Sequence, residues 1–231
     1  MVRDGIFYLI GFLAAGALVT ALVGPAPAAP LFLLGLFCGW FFRDPERPIP
    51  AGPVAVSPAD GLVDRIVQEP GRRTRVSIFL NIFDVHVNRS PIGGVITSIK
   101  YKPGQFLDAR HEKASELNES NEFTVMGADG TVVVFRQVTG LIARRIVCYK
   151  KEGDPVQTGE RVGLIKFGSR VDIVFGPEWR VEVSAGMRVS AGSSIIARRA
   201  DQVLTSDALA SIIGSDMRGS DLAKEPAFCQ T

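Results

Sequence analysis

The pattern of apolar and polar residues divides the chain at about residue 47. Residues 5–24 carry no charged side chain, and a second apolar run follows at 31–42, after a Pro- and Ala-rich stretch at 25–30. The first run reaches the roughly 20 residues that a membrane-spanning helix needs, whereas the second is shorter. We therefore predict a membrane helical hairpin with its exit segment in residues 1–47, in which the prolines break the helix between the two arms.

A cleaved signal peptide is the alternative for the first apolar run. A second apolar segment follows it at once, however, and the stretch between them is crowded with prolines, which argues against a cleavage site. Arg3 precedes the apolar part, and Arg43 and Arg47 follow it. This distribution favours both ends of the hairpin on the cytoplasmic side. We therefore expect the protein at the inner membrane, with the rest of the chain on the cytoplasmic side and the hairpin either spanning the bilayer or lying in it.

After residue 47 the pattern changes to short runs rich in β-forming residues, separated by Gly, Pro or polar turns. The runs predict strands at 54–56, 61–67, 75–79, 94–101, 123–126, 131–138 and 145–149. Residues 109–121 are polar and predict a loop or a short helix, residues 201–213 predict a helix, and residues 214–231 a loose tail. We expect residues 48–231 to form one catalytic, β-rich domain.

Two ten-residue segments, 153–162 and 186–195, share the pattern G-x-x-V-x-x-G-x-x-[VI]. The glycines suit tight turns, and the spaced Val and Ile positions suit inward-facing strand residues. Paired turns of this kind resemble the two halves of a lipoyl- or biotinyl-like domain. The predicted fold class is therefore mainly β (α+β), with a lipoyl/biotinyl-like barrel-sandwich core behind the N-terminal membrane hairpin.

Composition narrows the function classes. A net charge of +2, with 22% charged residues, gives no basis for a nucleic-acid partner, although the arginines suit an anionic membrane surface. Cys38, Cys148 and Cys229 are widely spaced and form no ligand cluster with histidines, so we expect no metal site and a reducing compartment. The two histidines, His86 and His111, are the natural candidates for acid–base chemistry near neutral pH.

The pair Gly168-Ser169 lies inside segment 164–175, which otherwise has the pattern of a strand. Gly and Ser in this position predict a bulge, a bend or a close backbone approach. A serine hydroxyl that attacks the preceding glycine carbonyl forms an ester, whose elimination leaves dehydroalanine, and hydrolysis then gives an N-terminal pyruvoyl group. That ketone is an electron sink for a decarboxylase without an added cofactor. The chain also contains Gly-Ser pairs at 192–193, 214–215 and 219–220, and any single pair is equally typical of a turn.

Further segments accompany this pair. They read FFRDPERPIP at 41–50, VSPADG at 56–61, IFLNIFDVHVNRSPIGG at 78–94 and KASELNESNE at 113–122. In this order and spacing, together with Phe167-Gly168-Ser169, they make the chain similar to the phosphatidylserine decarboxylases. The chain resembles most the short bacterial form with an N-terminal membrane hairpin, and the resemblance extends from about Phe41 to Ala197.

The resemblance implies a proenzyme that cleaves itself between Gly168 and Ser169. The β chain would be residues 1–168 and the α chain residues 169–231, and the two would stay together as a heterodimer, with a homo-oligomer left open. Ser169 would become the pyruvoyl cofactor, with no metal and no pyridoxal phosphate. Its ketone would form a Schiff base with the amine of phosphatidylserine in the bilayer, and loss of CO₂, return of a proton and hydrolysis would give phosphatidylethanolamine.

Two residues take catalytic roles from the resemblance. His86 matches the family histidine that acts in decarboxylation, and near-neutral titration would suit it for returning a proton. From the pattern alone, alternation over 83–87 predicts a strand with His86 satisfied within a sheet. Asp60 matches the family aspartate tied to self-processing, although segment 57–61 also suits a plain turn.

The base for self-processing stays open at this point. The longer family form has a second histidine where this chain has Arg89, so the base is either His86, serving both stages, or Asp60 acting through water. Arg89 is also a candidate for the substrate phosphate, because guanidinium binds phosphate in a bidentate manner. Arg43 and Arg47 share that chemistry, but we expect them to be solvated charges or helix-end anchors.

The remaining candidates have simpler interpretations. We expect His111 at the surface and Lys166 as an outward-pointing strand lysine rather than a carrier lysine. Two other functions are compatible with parts of the pattern. One is a non-enzymatic, membrane-anchored adaptor with a lipoyl-like hairpin domain, and the other is a biotin or lipoyl carrier.

Overall fold

The computed structural model describes residues 1–111, 113–141, 145–166 and 168–200. The helices are α1 (Arg3–Leu22), α2 (Pro25–Phe41) and α3 (Ala114–Leu117). The strands are β1 (Val54–Val56), β2 (Gly61–Glu69), β3 (Arg73–Leu80), β4 (Val87–Arg89), β5 (Gly94–Lys102), β6 (Ser120–Met126), β7 (Val132–Thr139), β8 (Ile146–Cys148), β9 (Pro155–Val156), β10 (Arg161–Ile165), β11 (Ser169–Phe175), β12 (Trp179–Val181), β13 (Arg188–Val189) and β14 (Ile195–Arg199). The helix predicted at 201–213 and the tail at 214–231 lie outside the described residues.

Helices α1 and α2 form the predicted hairpin and contact each other along their length. Small residues allow this close packing, since a Cβ atom on Gly16 would lie 3.0 Å from the ring of Phe32. Among the described helices, α1 alone has the length and apolar composition to cross a bilayer, and α2 is shorter. Most of the large apolar side chains of the hairpin point outward and are exposed.

The predicted helix break is wrong in its position. The chain turns at Gly24, which has a φ of +117°, and α2 begins directly afterwards at Pro25. Pro25 and Pro27 fit in the first turn because the first backbone N–H groups of a helix have no partner within that helix. The prolines therefore start the second arm instead of separating the arms, and Pro30 is accommodated within it.

The β-rich part is built from antiparallel pairs. An eight-stranded sheet has the order β13-β2-β3-β11-β7-β6-β5-β9, and two three-stranded sheets have the orders β1-β14-β12 and β4-β10-β8. Apolar side chains from these strands form one core, in which the rings of Phe123 and Phe135 stack with centroids 4.8 Å apart. The fold is therefore mainly β with an N-terminal apolar helical hairpin.

The internal repeat produces two equivalent turns at the two edges of the large sheet. Gly153, Gly159, Gly186 and Gly192 all have φ between +76° and +89°, the left-handed region that favours glycine. Strand β9 of the first unit pairs with β5, and β13 of the second unit pairs with β2. A Cβ atom on Gly192 would lie 3.6 Å from the Cα atom of Gly159. The two edges therefore approach each other, and the sheet is curled.

The hairpin is joined to the sheets by apolar and ionic contacts. Side chains from both parts form a second buried cluster, whose members are Val2, Cys38, Phe41, Phe42, Val85, Val87 and Leu164. After α2, Asp44 forms ion pairs with Arg89 at 2.8 Å and with Arg161. Arg47 pairs with Asp60 at 2.7 Å. These contacts fix the exit segment of the hairpin against the β-rich part.

Candidate active site

Gly168 and Ser169 lie at the junction of two sheets. Strand β10 ends at Ile165 in a three-stranded sheet, and β11 begins at Ser169 in the centre of the eight-stranded sheet. Gly168 has a φ of +61°, a left-handed conformation in which a side chain would be strained. Of the predicted alternatives at this pair, the bend and the close backbone approach are confirmed. The strand pattern read over 164–175 is wrong in its continuity, because the segment divides into two strands that pair with different neighbours.

The Ser169 side chain is completely buried. Its strand pairs with β3 at Leu80 and with β7 at Thr139. Its Oγ atom has no hydrogen-bond partner among the described residues, which is unusual for a buried hydroxyl. The carbonyl oxygen of Gly168 lies so close to Gly140 that a Cβ atom there would be 2.5 Å from it. A glycine at 140 therefore makes room for the carbonyl that Ser169 would attack.

His86 lies directly beside this peptide bond. Its Nε2 atom accepts a hydrogen bond from the Gly168 backbone N–H at 3.3 Å, and its Nδ1 atom donates to the carbonyl oxygen of Asp84 at 2.9 Å. We assign this tautomer from the two partners. The imidazole packs on the Phe41 ring with centroids 4.4 Å apart and is only 2% exposed. The residues that the resemblance selected, His86 and the Gly168-Ser169 pair, are thus brought together.

Burial lowers the pKa of His86 to about 4, because the charged imidazolium loses its hydration. The hydrogen bond to the Asp84 carbonyl raises the pKa, the nearby Arg43 charge lowers it, and the Asp60 charge raises it. The expectation of near-neutral titration is therefore wrong for the uncut chain. At neutral pH the imidazole is uncharged, and its Nε2 lone pair faces the Gly168 N–H.

The strand predicted around His86 begins later than its alternating pattern indicates. Strand β4 starts at Val87, and residues 84–91 are all buried, so Asp84 and His86 do not share one exposed face. The hairpin covers this segment on the side of Phe41. Contacts with a distant part of the chain thus remove the alternation of buried and exposed residues that the sequence pattern predicts.

Asp60 is held away from solvent by charged and backbone partners. Both of its carboxylate oxygens accept hydrogen bonds from Arg47, at 3.0 and 2.7 Å, and Oδ1 also accepts one from the Ala191 N–H at 2.7 Å. Its link to the scissile bond is electrostatic, through its effect on the pKa of His86. The structure thus gives Asp60 neighbours from the hairpin exit and from the loop after β13.

Arg89 has partners other than a lipid phosphate. Its guanidinium donates to Asp44 at 2.8 Å and to the Gly159 carbonyl at 2.9 Å, and the residue is only 5% exposed. Arg89 lines an open cavity of about 530 Å³ together with Arg47 and Arg161. Arg89 occupies the position of a histidine in the longer family form. In this chain it therefore binds the exit segment of the hairpin.

Arg170 belongs to the site, although the sequence analysis did not select it. Its side chain is fully buried, with Nε 3.0 Å from Asp172 Oδ1 but not aligned for a hydrogen bond. Its remaining nitrogens donate to the Ala109 carbonyl at 2.8 Å and to the Ser115 hydroxyl. A charged residue directly after a candidate cleavage site is the signal that would have identified it. Arg170 fixes the backbone on the Ser169 side of the bond.

The other charged candidates divide into confirmed and corrected predictions. His111 is exposed, as predicted. Arg43 donates to the Trp40 carbonyl at 3.1 Å and so anchors the end of α2, whereas Arg47 is an ion-pair partner of Asp60 rather than a solvated charge. Lys166 was predicted to point outward, but its ammonium group lies 3.3 Å from Asp4 and above the ring of Tyr8. The hairpin, which supplies Asp4 and Tyr8, covers this lysine.

Within the described part of the chain, no group of three or more His, Cys, Asp or Glu residues is arranged to hold a metal ion. The groups brought together at this site are a buried hydroxyl, a neutral imidazole and a glycine peptide in the left-handed conformation. A hydroxyl directly after a glycine carbonyl is the arrangement that attack by a serine on the preceding peptide bond requires.

Comparison with known proteins agrees with this geometry. A family model described as phosphatidylserine decarboxylase matches residues 34–197. The phosphatidylserine decarboxylase proenzyme of Solibacter usitatus is 61% identical over 202 residues, which cover 87% of this chain and 98% of the relative. The proenzyme of the same name from Cupriavidus pinatubonensis is 46% identical over 202 residues, covering 84% of this chain and 93% of the relative. The chain belongs to the phosphatidylserine decarboxylase family.

Proposed function

We propose that this chain is a proenzyme that cuts itself at Gly168-Ser169 and then decarboxylates phosphatidylserine to phosphatidylethanolamine. The observation that carries the proposal is the scissile bond itself. Ser169 has a buried hydroxyl with no hydrogen-bond partner among the described residues, and it directly follows Gly168, whose N–H donates a hydrogen bond to His86. The names of the relatives, phosphatidylserine decarboxylase proenzyme, agree with both the substrate and the processing.

Self-cleavage begins at the Ser169 hydroxyl. Its oxygen attacks the Gly168 carbonyl carbon while Nε2 of His86, released from the Gly168 N–H, takes the hydroxyl proton. His86 then gives this proton to the Ser169 nitrogen as the C–N bond breaks, so that an ester replaces the amide. Loss of the Ser169 α-proton expels the Gly168 carboxylate and leaves dehydroalanine at residue 169. Tautomerisation, addition of water and loss of ammonia then give the pyruvoyl group. Gly168 suits cleavage because it adopts the left-handed φ without strain and has open space where a side chain would be, so no side chain hinders attack on its carbonyl.

The site fits the pyruvoyl group that this proposal requires. Residue 169 is buried between β3 and β7, so the group would form in a protected position with its carbonyl next to His86. The group would supply an electrophilic ketone that accepts the electron pair released with CO₂. Phe41 shields the imidazole of His86 from water, and Arg170 keeps the new terminus in register.

His86 is proposed to act in both stages. In the uncut chain its lowered pKa leaves Nε2 unprotonated, as a base for Ser169 requires. In the cleaved chain the same nitrogen holds the proton that the substrate carbon needs after CO₂ has left. Asp60 favours the protonated form of His86 through its charge, and Arg47 holds Asp60 in place. In this proposal Arg89 holds the hairpin exit, and binding of a lipid phosphate would require it to exchange Asp44 for the phosphate.

The remaining assignments concern organisation. We propose that residues 1–47 anchor the protein in the inner membrane and that residues 48–231 form the catalytic domain on the cytoplasmic side. Residues 1–168 and 169–231 then remain associated as β and α chains. The two glycine turns at opposite edges of the curled sheet support a lipoyl-like barrel-sandwich core. A non-enzymatic adaptor or a carrier domain would not require the contact between His86 and Gly168.

The proposal is tested by assaying the purified, reconstituted protein for release of CO₂ from carboxyl-labelled phosphatidylserine. Activity is expected, and hydroxylamine or phenylhydrazine should abolish it by reacting with the ketone. An active protein that resists both carbonyl reagents would contradict the pyruvoyl mechanism. A fully cleaved protein without decarboxylase activity on this lipid would contradict the assigned substrate.

The role of Asp60 is tested by Asp60→Asn. Loss of the carboxylate charge removes a hydrogen-bonded ion pair with Arg47 and an influence on His86, so self-cleavage should slow by about tenfold or more. The measurement is the rate at which the full-length band disappears after synthesis. Glu182→Gln, which removes a partly exposed ion pair with Arg198, is the matched control. If Asp60→Asn matures at the wild-type rate, Asp60 has no role in self-cleavage and only stabilises the turn at 57–61.

A further inference from the structure

Large apolar side chains are exposed on the β-rich part next to the scissile bond. Ile82, Phe83 and Leu141 are 37%, 70% and 65% exposed, and we call these three residues the apolar rim. Contiguous exposed apolar side chains on a folded domain commonly mark an interaction surface. The chemistry proposed above uses none of the three.

Two residues of the apolar rim are close in the chain to groups of the reaction site. Phe83 lies three residues before His86, which bonds to the Gly168 N–H. Leu141 follows Gly140, whose backbone adjoins the Gly168 carbonyl. Whatever covers the rim therefore contacts residues that are close in the chain to the two groups around the scissile bond.

The rim is continuous with the membrane hairpin. The ring of Phe83 packs edge-on against Trp40 near the end of α2, with centroids 6.0 Å apart. Arg43 joins the two residues, since its guanidinium lies 4.4 Å from the Trp40 ring and donates to the Phe83 carbonyl at 2.6 Å. Trp and Arg at the end of an apolar helix are typical of the membrane–water boundary. A hairpin embedded in a bilayer therefore places Phe83 at that boundary.

A turn that is stabilised by side-chain hydrogen bonds presents Ile82 and Phe83 of the rim. The side-chain oxygen of Asn81 accepts from the Phe83 N–H at 2.7 Å, and Asp84 Oδ2 accepts from the Asn81 N–H at 2.9 Å. Arg188, whose side chain is 61% exposed, pairs with Asp84 behind the turn. The turn therefore holds Ile82 and Phe83 outward with a cation nearby, an arrangement that suits an anionic lipid surface.

We propose that the apolar rim inserts into the headgroup–acyl boundary of an anionic bilayer, as a membrane contact separate from the hairpin. This contact would hold the segments that carry His86 and the Gly168 carbonyl close to the lipid headgroups, so that a serine headgroup reaches the site without leaving the bilayer. The inference rests on the proposed function for its purpose. Its physical claim, insertion of Phe83 into lipid, is independent of cleavage and catalysis.

Insertion is measured with a fluorophore in full-length protein that carries Ser169→Ala, so that self-processing plays no part. Cys148 and Cys229 are changed to Ser, and Phe83→Cys is labelled with an environment-sensitive dye. Met126→Cys is the matched control, because Met126 is 44% exposed and lies at the end of β6 opposite the Ser169 end of the sheet. Both proteins are reconstituted into phosphatidylcholine–phosphatidylglycerol vesicles, with and without nitroxide-labelled acyl chains.

The expected result is a blue-shifted emission at position 83 that acyl-chain nitroxides quench, with neither effect at position 126. Equal, water-like emission at both positions would overturn the proposal. A blue shift at 83 without quenching would also overturn it, because the cover would then be protein, such as a second copy of this chain.

The consequence for activity is tested on cleaved Phe83→Ser. Loss of one aromatic side chain that inserts into lipid should raise the surface concentration of phosphatidylserine needed for half-maximal rate in vesicles by roughly tenfold. On dispersed short-chain phosphatidylserine, no comparable loss is expected, and Met126→Ser should behave as wild type on both substrates. An equal loss on both substrates would assign Phe83 to the catalytic structure and contradict a membrane contact.

Discussion

The two sides of the Gly168-Ser169 bond differ in how firmly the fold holds them. Ser169 begins β11, which is paired on both sides in the middle of the large sheet, and Arg170 is locked by buried contacts. Gly168 lies in a turn with φ of +61° and has open space where a side chain would be. Cutting the bond therefore opens a turn between two sheets and is expected to leave the paired strands on both sides in place.

This difference explains how one site can serve two reactions. Cleavage needs a carbonyl that a neighbouring hydroxyl can attack, and Gly168 presents its carbonyl without a side chain beside it. Decarboxylation needs a chain terminus that stays in place after the cut, which the sheet and Arg170 provide. His86 contacts the Gly168 side but belongs to neither strand of the bond, so it is expected to remain after the turn opens.

The largest effect is expected when the nucleophile on the fixed side is removed. Ser169→Ala should remain one uncut chain without decarboxylase activity. The reason is that segment 164–168, which leads into β11, contains no other residue with a hydroxyl group. Ser193→Ala is the matched control, since Gly192 also has a positive φ and Ser193 Oγ is also buried without a described partner. Gel analysis of both proteins checks this expectation. Cleavage of Ser169→Ala at the wild-type position would contradict the assignment.

Removing His86 tests the side of the bond that is held loosely. His86→Ala should slow self-cleavage by about 10²–10⁴-fold, the usual contribution of a positioned acid–base group. The fraction that does become cleaved should show a loss of similar size in lipid decarboxylation. Pulse–chase gels give the first rate, and CO₂ release normalised to pyruvoyl content gives the second. If only cleavage is slow, the proton for decarboxylation comes from another group.

Removing Arg170 tests the hold on the fixed side. Arg170→Met removes the nearest cation from the buried Asp172, which keeps the Ser115 hydroxyl and the more distant Arg75 as partners. The free energy of unfolding should therefore fall by about 3 kcal/mol. Arg198→Met removes an exposed ion pair with Glu182 and should cost no more than about 1 kcal/mol. Denaturant unfolding in detergent measures both. Equal effects of the two substitutions would show that Arg170 does not lock the terminus.

The smallest effect is the pH dependence that His86 contributes. Its pKa in the folded chain is about 4, below the ordinary value of 6.5, so only the unfolded chain binds a proton between these values. The contribution to stability is therefore present above pH 6.5 and is lost as the pH falls toward 4, by up to about 3 kcal/mol. Uncut Ser169→Ala and its His86→Gln derivative should differ in the slope of stability against pH in this window. Parallel slopes would place His86 in contact with solvent.

Local sequence patterns predicted much of the β-rich part. The strands predicted at 54–56, 61–67 and 94–101 are present with ends that differ by at most two residues, because β-branched runs between glycine turns depend little on distant contacts. The repeated glycines also predicted turns, and positive φ angles confirm them. Gly168 was selected for its chemistry, but a turn between two sheets cannot be distinguished from a bulge without knowledge of strand partners.

The errors at His86, Lys166 and Arg89 share a physical cause, which is contact between the hairpin and the β-rich part. The predicted alternation of buried and exposed residues around His86 is absent because Phe41 covers the imidazole. Lys166 pairs with Asp4 of the hairpin instead of pointing into solvent. These partners are more than 40 residues away in sequence, and no local pattern reports them. The same limit applies to Arg89, whose ion pair with Asp44 depends on how the hairpin exit crosses the sheets.

The most direct test of the account is the intact mass of the purified wild-type protein, measured under denaturing conditions. Two chains are predicted. The larger should end at Gly168, and the smaller should comprise residues 169–231 with a pyruvoyl group in place of Ser169 and no free amino terminus. A single full-length chain that nevertheless decarboxylates phosphatidylserine would contradict the central claim, as would a smaller chain that begins at any other residue.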